Sequence, residues 1–335
     1  MINFRFHLIS LIAVFLALTV GIVVGSTVVD QAIVDGLRAT VDRVEAKADD
    51  TARENEALSD ERDQMRALVD ELAPHTVADH LLGVRVVLVA QRGVDGGVVD
   101  ALREWLRSAG ALAPAVVWLD GSWTLDDDEA VARMQEVTGS AADAGAVRTL
   151  ALDLLAERLA DSPSAGGTTD PSGPTTTSTP STTAPESPAA ADDILVALVD
   201  AGFVDVEGID ADALGRYPGG PTNAVLVGGP TAESPADVLL SLARGFQRAD
   251  VATIVSEVFE DGTDEQGAER VRGASLAGIR DDDALAATIA TVDNGELTEG
   301  AIAIVLALEA LDNGTVGHYG YGDGAERVLP EPSGR

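Results

Sequence analysis

The side chains able to do chemistry are few. Histidine occurs four times (His7, His75, His80, His318), methionine three times (Met1, Met65, Met134) and cysteine not at all. Without cysteine there is no thiolate zinc site, iron–sulfur cluster or thiol nucleophile. His75 and His80 stand five apart beside Pro74, off any common helix face, and read as exposed linker residues. His318 sits in Gly317-His-Tyr-Gly320, where the sequence designates no nucleophile or acid to work with it. The acidic runs Asp126–Glu129 and Asp281–Asp283 open predicted helices, where carboxylates favour the helix dipole with no ligand present. Neither has the alternating Asp and Gly of a calcium loop. Gly93-Val-Asp-Gly-Gly97 follows a predicted strand, the place of a phosphate loop in dinucleotide folds, and Val227-Gly-Gly-Pro230 closes another strand in the same manner. Neither matches Gly-x-Gly-x-x-Gly, and the only lysine, Lys47, belongs to no Walker motif. The expectation is a chain with no catalytic residues, cofactor or metal site, and hence not an enzyme.

What these residues would be mounted on begins with a membrane anchor. Leu8–Val29 has no charge and reaches the roughly 20 residues that cross a bilayer core. Arg5 and His7 precede it and Asp30 and Asp35 follow, so the positive-inside bias places a short N-terminus in the cytoplasm and the bulk outside. A cleavable signal peptide is the alternative; the apolar run exceeds the usual signal core and no Ala-x-Ala site follows. The whole chain carries −34, with 56 acidic and 22 basic residues, and Arg5 is the only charge before Asp30. So acidic a surface repels nucleic acid and anionic headgroups, which need Lys and Arg to replace counterions. Nucleic-acid binding is excluded on that ground.

Within the anchor, Ala13, Ala17, Gly21 and Gly25 recur every four residues along one ridge, and Gly21/Gly25 form the Gly-x-x-x-Gly that lets two helices approach closely in lipid. Beyond it, Val34 to Leu72 read as six heptads. Positions a are Val34, Val41, Ala48, Asn55, Arg62 and Val69, and positions d are Leu37, Val44, Thr51, Leu58, Met65 and Leu72. A lone Asn at a favours a two-stranded arrangement in fixed register. The reading is a parallel dimeric coiled coil, stopped by Pro74, with dimerisation residues Ala17, Gly21, Gly25, Val41, Val44, Asn55, Leu58, Met65, Val69 and Leu72. It would lift the rest of the chain from the bilayer at about 1.5 Å per residue. One long amphipathic helix packed on its own domain is the alternative.

After Pro74 the period changes. Strands are predicted at Val84–Ala90, Ala115–Leu119, Ala224–Val227 and Val251–Ser256. Helices are predicted at Val98–Ser108, Asp126–Val137, Val147–Ala160, Asp192–Ala201, Ala236–Gln247 and Thr298–Leu311, before a Gly- and Pro-rich coil. The β–α–β alternation with β-branched runs gives a Rossmann-like α/β layered domain on a parallel sheet. Residues 161–191 have no large apolar side chain and read as a disordered Thr/Pro-rich linker open to O-glycosylation. The expected organisation is therefore a cytoplasmic tip and transmembrane anchor (1–29), a coiled coil (30–73), two parts of one α/β domain (80–160 and 192–325) around the linker, and a tail (326–335). Two small domains are the alternative.

These features together resemble the actinobacterial MctB copper-transport family, which includes the septal protein SteB. The opening Met1-Ile-Asn-Phe-Arg-Phe-His-Leu-Ile-Ser-Leu11, the anchor and coiled coil, Ala290-Thr-Val-Asp-Asn294, Ala303–Leu308 and Gly317-His-Tyr-Gly320 are similar to it, so the resemblance spans nearly the whole chain except 161–191. It implies one of two functions: copper removal across the envelope by a pore-forming protein, or, as in SteB, control of septal cell-wall hydrolysis with a SteA-like partner. Copper(I) favours thiolate and thioether ligands, and this chain has no Cys and three Met. A single apolar helix also lacks a polar face to line a channel. The residues therefore favour a membrane-anchored, homodimeric extracytoplasmic scaffold, with copper efflux as the alternative.

Overall fold

The computed structural model describes residues 4–113, 115–160, 193–220, 222–258 and 274–331, and for 26–35 and Ala274 the backbone alone. The expected linker at 161–191 and the last four residues of the expected tail lie outside the described residues, as does the side chain of Val34. By contacts the chain divides into two units, residues 1–68 and 69–335.

The first unit is helix throughout its described length. It belongs to α1, Phe4–Val77, 74 residues long. Phe4–Gly25 is long and apolar enough to cross a membrane, with an 18-residue stretch of mean hydropathy 2.8, and Leu8, the expected start of the uncharged run, lies within it. The helix does not stop at Pro74, as expected, but continues one turn to Val77. Proline removes a hydrogen bond from a helix interior at a cost of about 3 kcal/mol. Here Ala73, Val77 and, just beyond, Leu81 are fully buried in the second unit. Burying each large aliphatic side chain contributes about 1.5–3 kcal/mol, enough to hold the turn on both sides of Pro74.

The second unit is built on a seven-stranded sheet in the order β3-β2-β1-β4-β5-β6-β7. The strands are β1 (Val86–Gln91), β2 (Val116–Leu119), β3 (Val204–Glu207), β4 (Asn223–Gly228), β5 (Thr253–Glu257), β6 (Ile289–Val292) and β7 (His318–Tyr319). All neighbours are parallel except β2 and β3. The helices are α2 (Gly96–Ser108), α3 (Asp128–Thr138), α4 (Ala144–Ala160), α5 (Ile194–Asp200), α6 (Ala236–Arg248), α7 (Ala274–Arg280), α8 (Asp283–Ala286) and α9 (Thr298–Asp312). Strands from both sides of 161–191 lie in this one sheet.

Alternate residues of each strand feed two separate cores, as the two-residue period of a strand requires. Val87, Val89, Leu226 and Val255 pack with α3 to α8, whereas Val86, Leu88, Val225, Val227, Ile254 and Val292 pack with α2, α9 and the end of α1. A sheet covered on both faces explains why β1, β2 and β4 read as continuous apolar runs. Three strands escape a sequence reading. β3 is an antiparallel edge whose exposed residues are Asp205 and Glu207, β6 has only four residues, and β7 two within the expected coil.

The carboxylates at helix starts act as caps. Asp95 accepts from the Gly97 N–H at 2.7 Å, Asp127 from the Ala130 N–H at 2.6 Å, and Asp282 from the Ala284 N–H at 3.0 Å. The two ends of 161–192 are tied together: Arg158 Nη2, at the end of α4, lies 2.9 Å from Asp193 Oδ2, the residue that caps α5. The same guanidinium donates to the Tyr217 and Gly215 carbonyls at 2.5 and 3.2 Å.

Candidate functional site

The chain leaves β1 for β2 on one side and returns after β3 to β4 on the other, so the strand order reverses between β1 and β4. α2 follows β1 onto one face of the sheet, and α6 follows β4 onto the opposite face. Where the connections diverge in this way, a crevice opens at the carboxyl ends of the strands. Here it has a volume of about 280 Å³ and is lined by Gln91, Gly229, Pro230, Ala232, Ser234, Pro235, Ala236, Glu257 and Ser275.

The two glycine motifs seen in the sequence flank it. Gly93 has φ +93°, and a Cβ there would stand 2.2 Å from the Thr231 carbonyl oxygen, so the β1 and β4 exits pass backbone to backbone. A Cβ at Gly228 would stand 2.7 Å from Gln91 Oε1, and one at Gly229 2.5 Å from the Val258 carbonyl oxygen. The glycines therefore serve close packing of loops around the crevice. Gln91, 1% exposed, donates through Nε2 to Ser234 Oγ at 2.8 Å and to the Ser234 and Pro235 carbonyls at 3.0 and 3.2 Å. Glu257, 2% exposed, accepts from the Leu276 N–H at 3.2 Å, and Ser275 Oγ donates to the Ala236 carbonyl at 3.4 Å.

A second polar cluster lies at the ends of β6 and β7, joining Ala290–Asn294 to Gly317–Gly320. Asp293 and Arg280 form a buried ion pair at 3.0 Å, their side chains 3% and 2% exposed. Asp293 also accepts from the backbone N–H of Tyr321 at 2.7 Å and of Gly322 at 3.0 Å. Arg280 donates to Thr291 Oγ1 at 2.8 Å and to the Tyr319 and Asp323 carbonyls at 3.1 and 2.9 Å. Thr291 Oγ1 in turn lies 2.9 Å from His318 Nδ1. Burial, and secondarily the Arg280 charge, hold the His318 pKa below its ordinary 6.5. The cluster joins histidine, hydroxyl and carboxylate, but Thr291 and Asp293 are buried and their polar atoms are engaged with the protein itself. It clamps the C-terminal segment onto the sheet; the sequence signal for it is the small residue at Gly320, whose Cβ would stand 2.0 Å from Asp293 Oδ1.

The remaining histidines differ from the sequence reading in one respect. His75 is exposed, but His80 is half-buried, its Nδ1 lying 2.6 Å from Glu309 Oε2 of α9. It is not an exposed linker residue, because the segment after α1 packs on α9. Among the described residues no three His, Asp or Glu side chains gather in a way that could hold a metal ion.

The residues expected to pair two copies lie along α1. Leu37, Val41, Val44, Leu58, Met65 and Leu72 are between 46% and 64% exposed. Ala17, Gly21, Gly25 and Asn55 are exposed too, and a Cβ at either glycine would meet nothing within 4 Å. Val69 departs from the set: it is half-buried and packs against the chain's own core. Its position in the repeat is taken up by the domain it joins, something the heptad pattern cannot distinguish from a partner helix.

A family model described as "Copper transport outer membrane protein, MctB" matches residues 1–330. Among curated proteins, "Copper transporter MctB" of Mycobacterium tuberculosis (strain ATCC 25618 / H37Rv) is 29% identical, the match covering 98% of this chain and 99% of the relative. The protein of the same name from Mycobacterium leprae (strain TN) is also 29% identical, with the same coverage.

Proposed function

The chain belongs to the MctB copper-transport family, and on that premise we propose that it is a single-pass, membrane-anchored scaffold of the cell envelope that works as a homodimer. In this reading the N-terminal tip is cytoplasmic, the apolar helix holds the chain in the membrane, and a parallel coiled coil pairs two copies. The acidic α/β bodies then stand outside, where they engage a SteA-like partner in the control of cell-wall hydrolysis at the septum. The observation that carries it is the row of exposed apolar side chains at heptad spacing, Leu37, Val41, Val44, Leu58, Met65 and Leu72. A solvated helix has no physical reason to repeat large apolar residues every three and four positions unless another helix covers them.

The second reading is copper transport itself, favoured by the family description and by the name of the mycobacterial relatives. The chain's soft ligands are sparse: Met134 is buried in the core and Met65 stands on α1. A direct route for copper(I) would therefore draw its ligands from several copies or from a partner.

Crosslinking of intact membranes followed by identification of captured proteins separates the readings. Recovery of a homodimer and a septal protein, both lost in Gly21→Ile/Gly25→Ile/Asn55→Leu, is the result expected of the scaffold. Stoichiometric copper binding by the full chain, with copper accumulation and normal septa in a deletion strain, would replace it with the transport reading.

A further inference from the structure

One large apolar residue of α1 is left over by the heptad seam. Leu68, 50% exposed, stands at position g, beside the row of a and d residues and outside it. In a parallel pair of helices in register, a residue at g faces the e residue five positions further along the other helix. Charge supports that register one heptad earlier, where Glu61 at g is set against the partner's Arg66 at e, both side chains exposed. An antiparallel pair would lose this match, since it sets g against g and e against e.

By the same count Leu68 faces the partner's Ala73. Ala73 is 0% exposed, because the α/β body of its own copy covers it. That cover includes α9: Thr298 Oγ1 donates to Asp70, and Glu309 Oε2 lies 2.6 Å from His80 Nδ1. Asp70 and His80 bracket Ala73 in the chain, so α9 runs alongside the turn that carries it. A leucine brought to Ala73 from the other helix therefore meets the edge of a folded body instead of a bare helix. Leu72, at d and 53% exposed, extends the apolar surface beside it.

We propose that in the homodimer Leu68 of each copy docks on the α/β body of the other, against α9 beside the Ala73 turn. This rests on the paired-helix reading of the function and adds to it that each body is held by two stalk helices instead of one. The full chain, in detergent, is prepared with the photo-crosslinker p-benzoylphenylalanine in place of Leu68, as a mixture of isotope-labelled and unlabelled copies. After irradiation the crosslinked peptides are mapped by mass spectrometry, and the isotope pattern separates crosslinks between copies from those within one. The expected result is a covalent dimer whose crosslinks join position 68 to α9 of the other copy, lost when Leu58→Asp separates the copies. A covalent dimer joined only from α1 to α1 overturns the docking and leaves the paired helices standing. No crosslink from position 68, or crosslinks confined to one copy, in a sample that sediments as a dimer do the same. A wild-type chain that sediments as a monomer overturns both. Should the probe itself break the dimer, Leu68→Cys carrying a benzophenone maleimide is read in its place, the native chain having no cysteine to compete.

Discussion

Asp293 shows how much one carboxylate can hold. It accepts hydrogen bonds from Arg280 and from the Tyr321 and Gly322 backbone, so it binds α7 and the C-terminal segment to the end of β6. Removing one partner leaves a buried charge uncompensated. Arg280→Met is therefore expected to cost about 3–5 kcal/mol in urea unfolding, and the double variant Arg280→Met/Asp293→Leu to recover much of that loss. Beside this pair His318 has its pKa lowered, by burial first and by Arg280 second, from 6.5. Between the folded and unfolded pKa the unfolded chain binds more protons, so stability is present above about 6.5 and is lost as pH falls below it. The melting temperature should fall from pH 7 to pH 5 with a slope that His318→Gln makes shallower; an unchanged slope would assign the acid sensitivity to other groups.

At the scale of elements, the junction around 161–192 carries its own staple. Arg158 pairs with Asp193 to bring the ends of α4 and α5 together, and donates to the Tyr217 and Gly215 carbonyls. On the linker reading of 161–191 that the composition gives, replacing 163–190 with a short Gly/Ser link should leave the circular dichroism spectrum unchanged. It should also stabilise the fold slightly, since each halving of a loop returns only about 0.6 kcal/mol of closure entropy. Arg158→Ala should instead cost about 2–4 kcal/mol, the penalty of leaving Asp193 half-buried and the Tyr217 and Gly215 carbonyls short of a donor. The compositional break at Ala160 and the return of apolar residues at Ile194 are legible in the sequence. The ion pair across them is not, because 35 positions separate its members.

For the whole molecule the informative contrast lies on α1. Leu58→Asp and Met65→Asp place a charge on side chains that are more than half exposed. They should abolish dimerisation in analytical ultracentrifugation while the α/β unit melts unchanged. Val69→Asp puts its charge against the chain's own core instead, and should lower the melting temperature whether or not the dimer persists. Equal effects of all three on stability, with no change in mass, would sink the paired-helix reading.

The sequence alone determined the apolar helix, the heptad row, the α/β alternation and the family, because each is written in local period and composition. The helix caps at Asp95, Asp127 and Asp282 belong to that class, since a cap needs only the next three residues. The antiparallel edge β3, the strands β6 and β7 and the passage of α1 through Pro74 were decided by tertiary structure. So were the loss of Val69 to the domain core, the pairing of His80 with Glu309 and the meeting of Arg280, Asp293 and His318. In each case short or ambiguous local signals were overruled by burial and by partners distant in the chain, and a sequence period cannot say which partner covers an apolar stripe or neutralises a charge.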